Sequence, residues 1–192
     1  LTSQQVVRAA ALMCALEILR KGHSELGLTP FRIGAWLGGG STPNSWKQAT
    51  SWLRSITQAG TQARRSFLLQ RCPWCSAEMQ VCAQQKISGY EIRTLRNRND
   101  KYVAIYCPDA QGPLTKKEAD EEAFGRLPVF ETDQDIYNAP PEFIVGTIDK
   151  FARLSWVDES RKLFGIEASD GAIKRSQRPP SLFIQDELYL IA

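Results

Sequence analysis

The chain has 192 residues, of which 43% are hydrophobic, 9% aromatic and 23% charged. That composition supports one globular core, with room for a small satellite unit, and excludes a disordered, collagenous or coiled-coil chain. The net charge of +3 is unevenly laid out. Lys and Arg outnumber Asp and Glu by six to two over residues 1–60 and by eight to three over 61–101. They then trail by three to nine over 102–145, and beyond that there are seven of each. A basic first half suits contact with a polyanion and equally suits a solvated face. No apolar run approaches about 18 residues, so no membrane span is predicted. No basic and apolar leader opens the sequence. It begins on Leu1 and closes inside the apolar run "LYLIA", and we expect it to be a piece of a longer protein.

In chain order, the first element is a helix. Ser3 can cap it, "QQVVRAAALMCALEILRK" continues it without Gly or Pro, and Gly22 stops it. Its middle, Ala9 to Leu16, is apolar nearly all round, which predicts burial between other elements. Phe31, Ile33, Ala35 and Leu37 then alternate as in a strand that ends at Gly38, Gly39 and Gly40. A second helix is expected from Pro43 to Ala59, with Gly60 after it. Helix, strand, helix is the rhythm of an α/β fold with a parallel sheet. The middle differs: "YEIRTL" and "YVAIYC", joined by the polar "RNRND", read as a β-hairpin. After it, "PLTKKEADEEAFGR" is a charged surface segment. We therefore divide the chain into an α/β part over 1–65, an insertion over 66–126, and a second α/β part over 127–192. In the last part "EFIVGT" is expected as a short buried strand, "IDKFARLSW" as the start of a helix, and "KLFGIEASDGAIKRSQRPP" as a loop. "SLFIQDE" is expected as another buried strand ending in two acids.

Two constellations can carry chemistry. An apolar strand that ends in Asp186-Glu187 is how P-loop NTPases bring one acid to the Mg²⁺ shell and a second to the attacking water, although many strands end in surface acids. The other constellation is the cysteines at 14, 72, 75, 82 and 107. An odd count and the turn Cys72-Pro73-Trp74-Cys75 favour a reduced, cytoplasmic setting and a metal knuckle over disulfides. Cys107, at the end of the hairpin, is the expected third thiolate for Zn²⁺. A metal-free ribbon is the alternative. Cys14 is a core residue by its apolar surroundings. His23 is the only histidine and follows a helix stop, so it reads as a loop residue and supports no Cys–His nucleophile pair. The five tryptophans are assigned mainly to core packing over base stacking. Arg64, Arg65, Arg71, Arg93, Arg96 and Arg98 either track phosphates or form a solvated face.

Taken together, "LTSQQVVRAAALMCALEILR", "PFRIGAWLGGGSTPN", "RCPWC", "IYNAPPEFIVGTIDKFARLSW", "KLFG" and "PPSLFIQDELYLI" resemble the helicase-like component of DISARM phage-defence systems, a superfamily 2 helicase. The resemblance spans nearly the whole chain, with six blocks in the right order. It implies part of a first RecA-like domain, a parallel sheet with helices on its faces, carrying a zinc-ribbon-like insertion. It implies ATP and Mg²⁺ as cofactors and nucleic acid, DNA above all, as partner, with other defence proteins also possible. Thr2, Gln5 and Arg8 would then lie near the nucleic-acid backbone, and Thr147 and Lys150 would hold its phosphates at a helix start. Asp186 would hold Mg²⁺ through water, and Glu187 would be the general base. Three departures stand out. Tyr189 stands where that family has His. "GGGSTP" lacks the Lys of a phosphate loop, and no "GK[ST]" exists in the chain, so that motif is expected upstream of Leu1. The family's fourth cysteine position is Gly112 here, which leaves Cys82 as the nearest replacement ligand. The rival reading is a non-catalytic nucleic-acid- or protein-binding module in which the ribbon does the work.

Overall fold

The computed structural model describes residues 2–60, 65–83, 86–95, 99–115, 127–169, 172–175 and 179–184. Helix α1 runs Thr2–Gly22, so Ser3 lies within its first turn. Its buried residues are Val6, Ala10, Met13, Cys14 and Glu17, spaced at helical intervals along one stripe. Leu12 and Leu19 are 58% and 52% exposed on the other side. The expected burial between elements is thus replaced by one-sided packing. Glu17 closes the helix onto the sheet: its carboxylate accepts the Phe31 N–H at 2.9 Å and pairs with Arg20.

Strand β1 (Ile33–Trp36) follows, buried at every residue. Helix α2 (Trp46–Ala59) starts three residues later than expected, because Ser45 is its cap: the Ser45 hydroxyl accepts the Gln48 N–H. Short strands β2 (Cys82–Ala83) and β3 (Lys86–Ile87) pair antiparallel. Strands β4 (Tyr90–Thr94) and β5 (Lys101–Ile105) form the expected hairpin, in register from Tyr90↔Ile105 to Thr94↔Lys101. Strand β6 (Val129–Phe130) and helix α3 (Asp133–Asn138) come next, neither of them expected. Strand β7 (Phe143–Gly146) and helix α4 (Ile148–Ala152) follow, then 3₁₀ turns at Leu154–Trp156 and Asp158–Phe164. The stretch expected as a loop after Phe164 contains an antiparallel hairpin, β8 (Ile166–Ser169) with β9 (Ala172–Arg175).

The centre is a three-stranded parallel sheet in the order β6-β1-β7. Register runs Ile33↔Val129 on one side of β1 and Ile33↔Phe143 to Trp36↔Gly146 on the other. A central parallel strand is covered on both faces, which explains why β1 shows no alternation of buried and exposed residues. Ile33, Ala35 and Val129 face a core shared with α1, α2 and the cysteine region. Trp36 and Phe130 face a second cluster with Ile136 of α3 and Leu163. Gly34 sits where Ile136 crosses: a Cβ there would lie 2.9 Å from Ile136 Cγ1 and 3.0 Å from Pro141 Cγ. Strand β7 is half-buried, with Phe143 exposed, not the fully buried strand expected.

The β4–β5 hairpin is not part of the parallel sheet, yet it does not stand off from it. Helix α2 is sandwiched between the two: Ala49, Trp52, Leu53 and Ile56 join the shared core, while Trp46 packs with Tyr102 and Ala104 of β5. Six residues apart on α2, Trp46 and Trp52 therefore occupy different faces and both are buried. Trp36 is buried too, whereas Trp74 and Trp156 are exposed.

Candidate functional site

Because β6, β1 and β7 are parallel, their carboxyl ends open on one edge, where ligands bind in open α/β sheets. Three segments leave that edge: the glycine loop 37–44 after β1, residues 131–135 after β6, and Thr147 leading into α4. They are fastened together. Lys150 of α4 is buried, and its ammonium donates to Asp133 Oδ2 and, at 2.9 Å, to Asn44 Oδ1. Desolvation pushes the Asp133 carboxyl up from its ordinary range, and Lys150 opposes that shift. Lys150, expected to hold a phosphate, is 4% exposed, and its charge is paired with Asp133. Thr147 sits at the N-cap of α4 without a side-chain capping bond, and its Oγ1 is buried without a hydrogen-bond partner among the described residues, as is Asp133 Oδ1.

Thr2, Gln5 and Arg8 occupy the first two turns of α1, the far end from the Glu17–Phe31 tie, with Gln5 and Arg8 exposed. Asp186, Glu187 and Tyr189 lie outside the described residues. The run that precedes the two acids is described: Leu182, Phe183 and Ile184 form no strand and are 74%, 60% and 80% exposed. This corrects the expected buried strand over that run. No described strand pairs with it, and an apolar run without a ladder neighbour has nothing to bury it. Phe183 does stack on Phe164, with ring centroids 6.2 Å apart.

Beside the edge, two further acids tie it to the rest of the molecule. Glu131 is fully buried after β6. Its Oε2 accepts the Leu68 N–H at 2.9 Å, and its Oε1 accepts the Leu69 N–H at 3.3 Å and the Tyr90 hydroxyl at 2.9 Å. Burial pushes its carboxyl up to about 7 against those three donors. Asp135 caps back onto Thr132 and accepts Trp46 Nε1 at 2.5 Å; burial pushes it up to about 6. Sequence reasoning missed Asn44, Glu131, Asp133 and Asp135. The one legible signal was Thr132-x-x-Asp135, an N-terminal capping pattern for α3.

The cysteine cluster is the second grouping. Cys72 and Cys75 bracket a tight turn closed by Ser76 N–H to Cys72 O at 2.8 Å, with Ser76 in the left-handed region at φ 62°. Cys107 follows β5, and its N–H donates to Leu114 O at 3.0 Å. The Sγ atoms of Cys72, Cys75 and Cys107 lie within 4.8 Å of one another, with Cys75 and Cys107 at 3.3 Å. Cys72 and Cys107 are buried, while Cys75 is exposed. Desolvation raises both buried thiols, opposed at Cys72 by the N–H groups of Cys75 and Trp74 and at Cys107 by that of Asp109. Three converging thiols with backbone donors aimed at two of them fit a soft cation, Zn²⁺ above all, which would take the place of their protons. Cys82 is corrected as a ligand: its thiol turns to Ile56 O at 3.6 Å and stands outside the group. Cys14 is fully buried, its thiol pushed up to about 12 by desolvation and then by Cys72 and Cys75. It is the core residue its surroundings predicted. Among the described residues no helix is long and apolar enough to cross a membrane.

No family model matches the chain. The chain is similar to the DISARM protein DrmA of Bacillus paralicheniformis, with 27% identity over an alignment 218 positions long. The alignment takes in 100% of this chain and 18% of DrmA, so the chain is a distant homologue of one part of that protein.

Proposed function

We propose that this chain is part of the motor of an ATP-dependent superfamily 2 helicase or translocase in a DISARM-type phage-defence system, acting in the cytoplasm. The observation that carries the proposal is the similarity to the DISARM protein DrmA along the whole of this chain. The parallel sheet with its carboxyl ends on one edge supports it. In this reading, 1–65 and 127–192 belong to the first RecA-like domain and 66–126 is a zinc-binding insertion. DNA crosses the carboxyl edge, met by Thr2, Gln5 and Arg8 of α1 and by the Thr147 turn, with other defence proteins as further partners. Bound ATP and Mg²⁺ supply the chemistry of phosphoryl transfer to water. Asp186 holds the metal's water shell, and Glu187 takes the proton of the attacking water. Cys72, Cys75 and Cys107 hold Zn²⁺. Their convergence also supports a second reading, a non-catalytic binding module organised by the metal.

The test is Glu187→Gln in the intact protein. DNA-stimulated hydrolysis should be lost while ATP binding is kept, because the substitution removes the base and spares the phosphate contacts. Unchanged turnover would remove the motor reading and leave the binding module.

A further inference from the structure

Three thiols converge in the cysteine cluster, and they are not equivalent. Cys72 and Cys107 are 1% and 2% exposed, whereas Cys75 is exposed. A small oxidant arriving from solvent therefore meets the Cys75 sulfur first. That sulfur already touches a second one, since Cys75 Sγ lies 3.3 Å from Cys107 Sγ. A disulfide bond is about 2.0 Å long, so the two sulfurs have roughly 1.3 Å to close. The side chain of an exposed turn residue covers that distance by rotating about its own bonds.

The other cysteines are less well placed. The Cys72 sulfur takes the backbone N–H groups of Trp74 and Cys75 within its own turn. It also meets Cys107, but both are buried, so that pair has no exposed member to be oxidised first. Cys82 is exposed, yet its thiol turns to Ile56 O at 3.6 Å and lies outside the three that converge. Cys14 is fully buried in the core.

We infer that Cys75 and Cys107 are a modification site, a thiol pair that a hydroperoxide converts to a disulfide, and that this disulfide and a bound metal exclude one another. The Cys75 thiolate attacks one peroxide oxygen: an S–O bond forms and the O–O bond breaks. The second oxygen leaves as water or an alcohol with the proton Cys75 gave up, and Cys75 becomes a sulfenic acid. The Cys107 sulfur then attacks the Cys75 sulfur. The S–S bond forms, the S–O bond breaks, and the hydroxyl leaves as water with the Cys107 proton. Two thiols together lose two electrons, and one peroxide gains them. Small thiols reverse the bond by exchange, which makes it transient in a reducing compartment. While it lasts, two of the three thiolates a soft cation needs are gone. The pair rests on the positions of the sulfurs alone; the exclusion of metal rests on the zinc reading proposed above.

The full chain, freed of metal by a chelator and reduced, is treated with a small excess of hydrogen peroxide. Remaining thiols are alkylated, and the bonds are mapped by proteolysis and mass spectrometry. The Cys75–Cys107 link should be the main product. It should be lost in Cys75→Ser and in Cys107→Ser, and kept in Cys72→Ser and Cys82→Ser. A Cys72–Cys75 or Cys72–Cys107 link as the main product would overturn the inference. So would a pairing pattern no different from that of the same chain in concentrated urea. The wild-type map decides both points even where a serine variant fails to fold. In the chain loaded with Zn²⁺, peroxide should release zinc in step with the disulfide, read with a chromogenic chelator, and dithiothreitol should restore binding. Zinc retained after the link has formed would overturn the exclusion. A reduced chain that takes up no zinc would remove the zinc reading itself, while the metal-free map still judges the pair.

Discussion

Burial of Glu131 should make the stability of the fold depend on pH. Its proton is held more tightly in the folded chain, where the carboxyl is pushed up to about 7 by burial, than in the unfolded chain, where it titrates near 4.5. Stability from this group is therefore fully present below about pH 4.5 and is lost as pH rises through about 7, an effect on the order of 3 kcal/mol. Asp135, pushed up to about 6 from 3.8, slopes the same way. Denaturant midpoints should fall across that window, and Glu131→Gln should flatten most of the fall. A profile that instead rises with pH would show that the three donors outweigh desolvation. Lys150 gives a second residue-level expectation. Removing one partner of a buried ion pair costs about 3–5 kcal/mol, so Lys150→Ala should unfold at markedly lower denaturant. In Lys150→Met with Asp133→Leu, where no charge is left unpaired, most of that loss should be recovered. Recovery of nothing in the double variant would mean that Asn44 and the edge segments need the ammonium itself. The pairing of Lys150 was not legible because its acceptors, Asn44 and Asp133, lie 106 and 17 residues away in sequence. Proximity of that kind is a product of the fold and leaves no trace in local pattern.

Among the elements, β1, α2 and the β4–β5 hairpin were legible because each carries its own local signal: apolar spacing, a Gly stop, a polar turn between alternating runs. Strand β6 was not, since two residues give no periodicity to read. Its membership in the sheet comes from pairing with Ile33 and Gly34. Helix α1 was read correctly in extent and wrongly in environment. Its apolar residues run all round, and only the packing partners decide that Val6, Ala10, Met13 and Cys14 go inside while Leu12 and Leu19 stay out. The contact of α3 with β1 is close. With Ile136 and Pro141 both about 3 Å from the site of a new Cβ, Gly34→Ala should lower stability by about 1–3 kcal/mol, as overpacking does in close-packed cores. A denaturation midpoint equal to wild type would mean that α3 slides freely over the sheet.

For the whole molecule, the parallel sheet and the cysteine pair were readable from sequence, and how they are joined was not. Composition and turn chemistry suggested an insertion hung on a sheet. Cys72, Leu69, Tyr90 and Cys107 instead share one core with Ile33, Ala35 and Val129. The apolar run at 182–184, which precedes the acids at 186 and 187 in sequence, is left uncovered by the described residues. The link through Glu131 has a consequence for heredity. Its carboxylate belongs to the sheet side, while Leu68, Leu69 and Tyr90, whose groups satisfy it, belong to the cysteine side. A recombination crossover anywhere between residues 91 and 130 separates the acid from all three donors. Exchange of the cysteine region between relatives should therefore cost least stability when both parents keep the same acid and the same phenol.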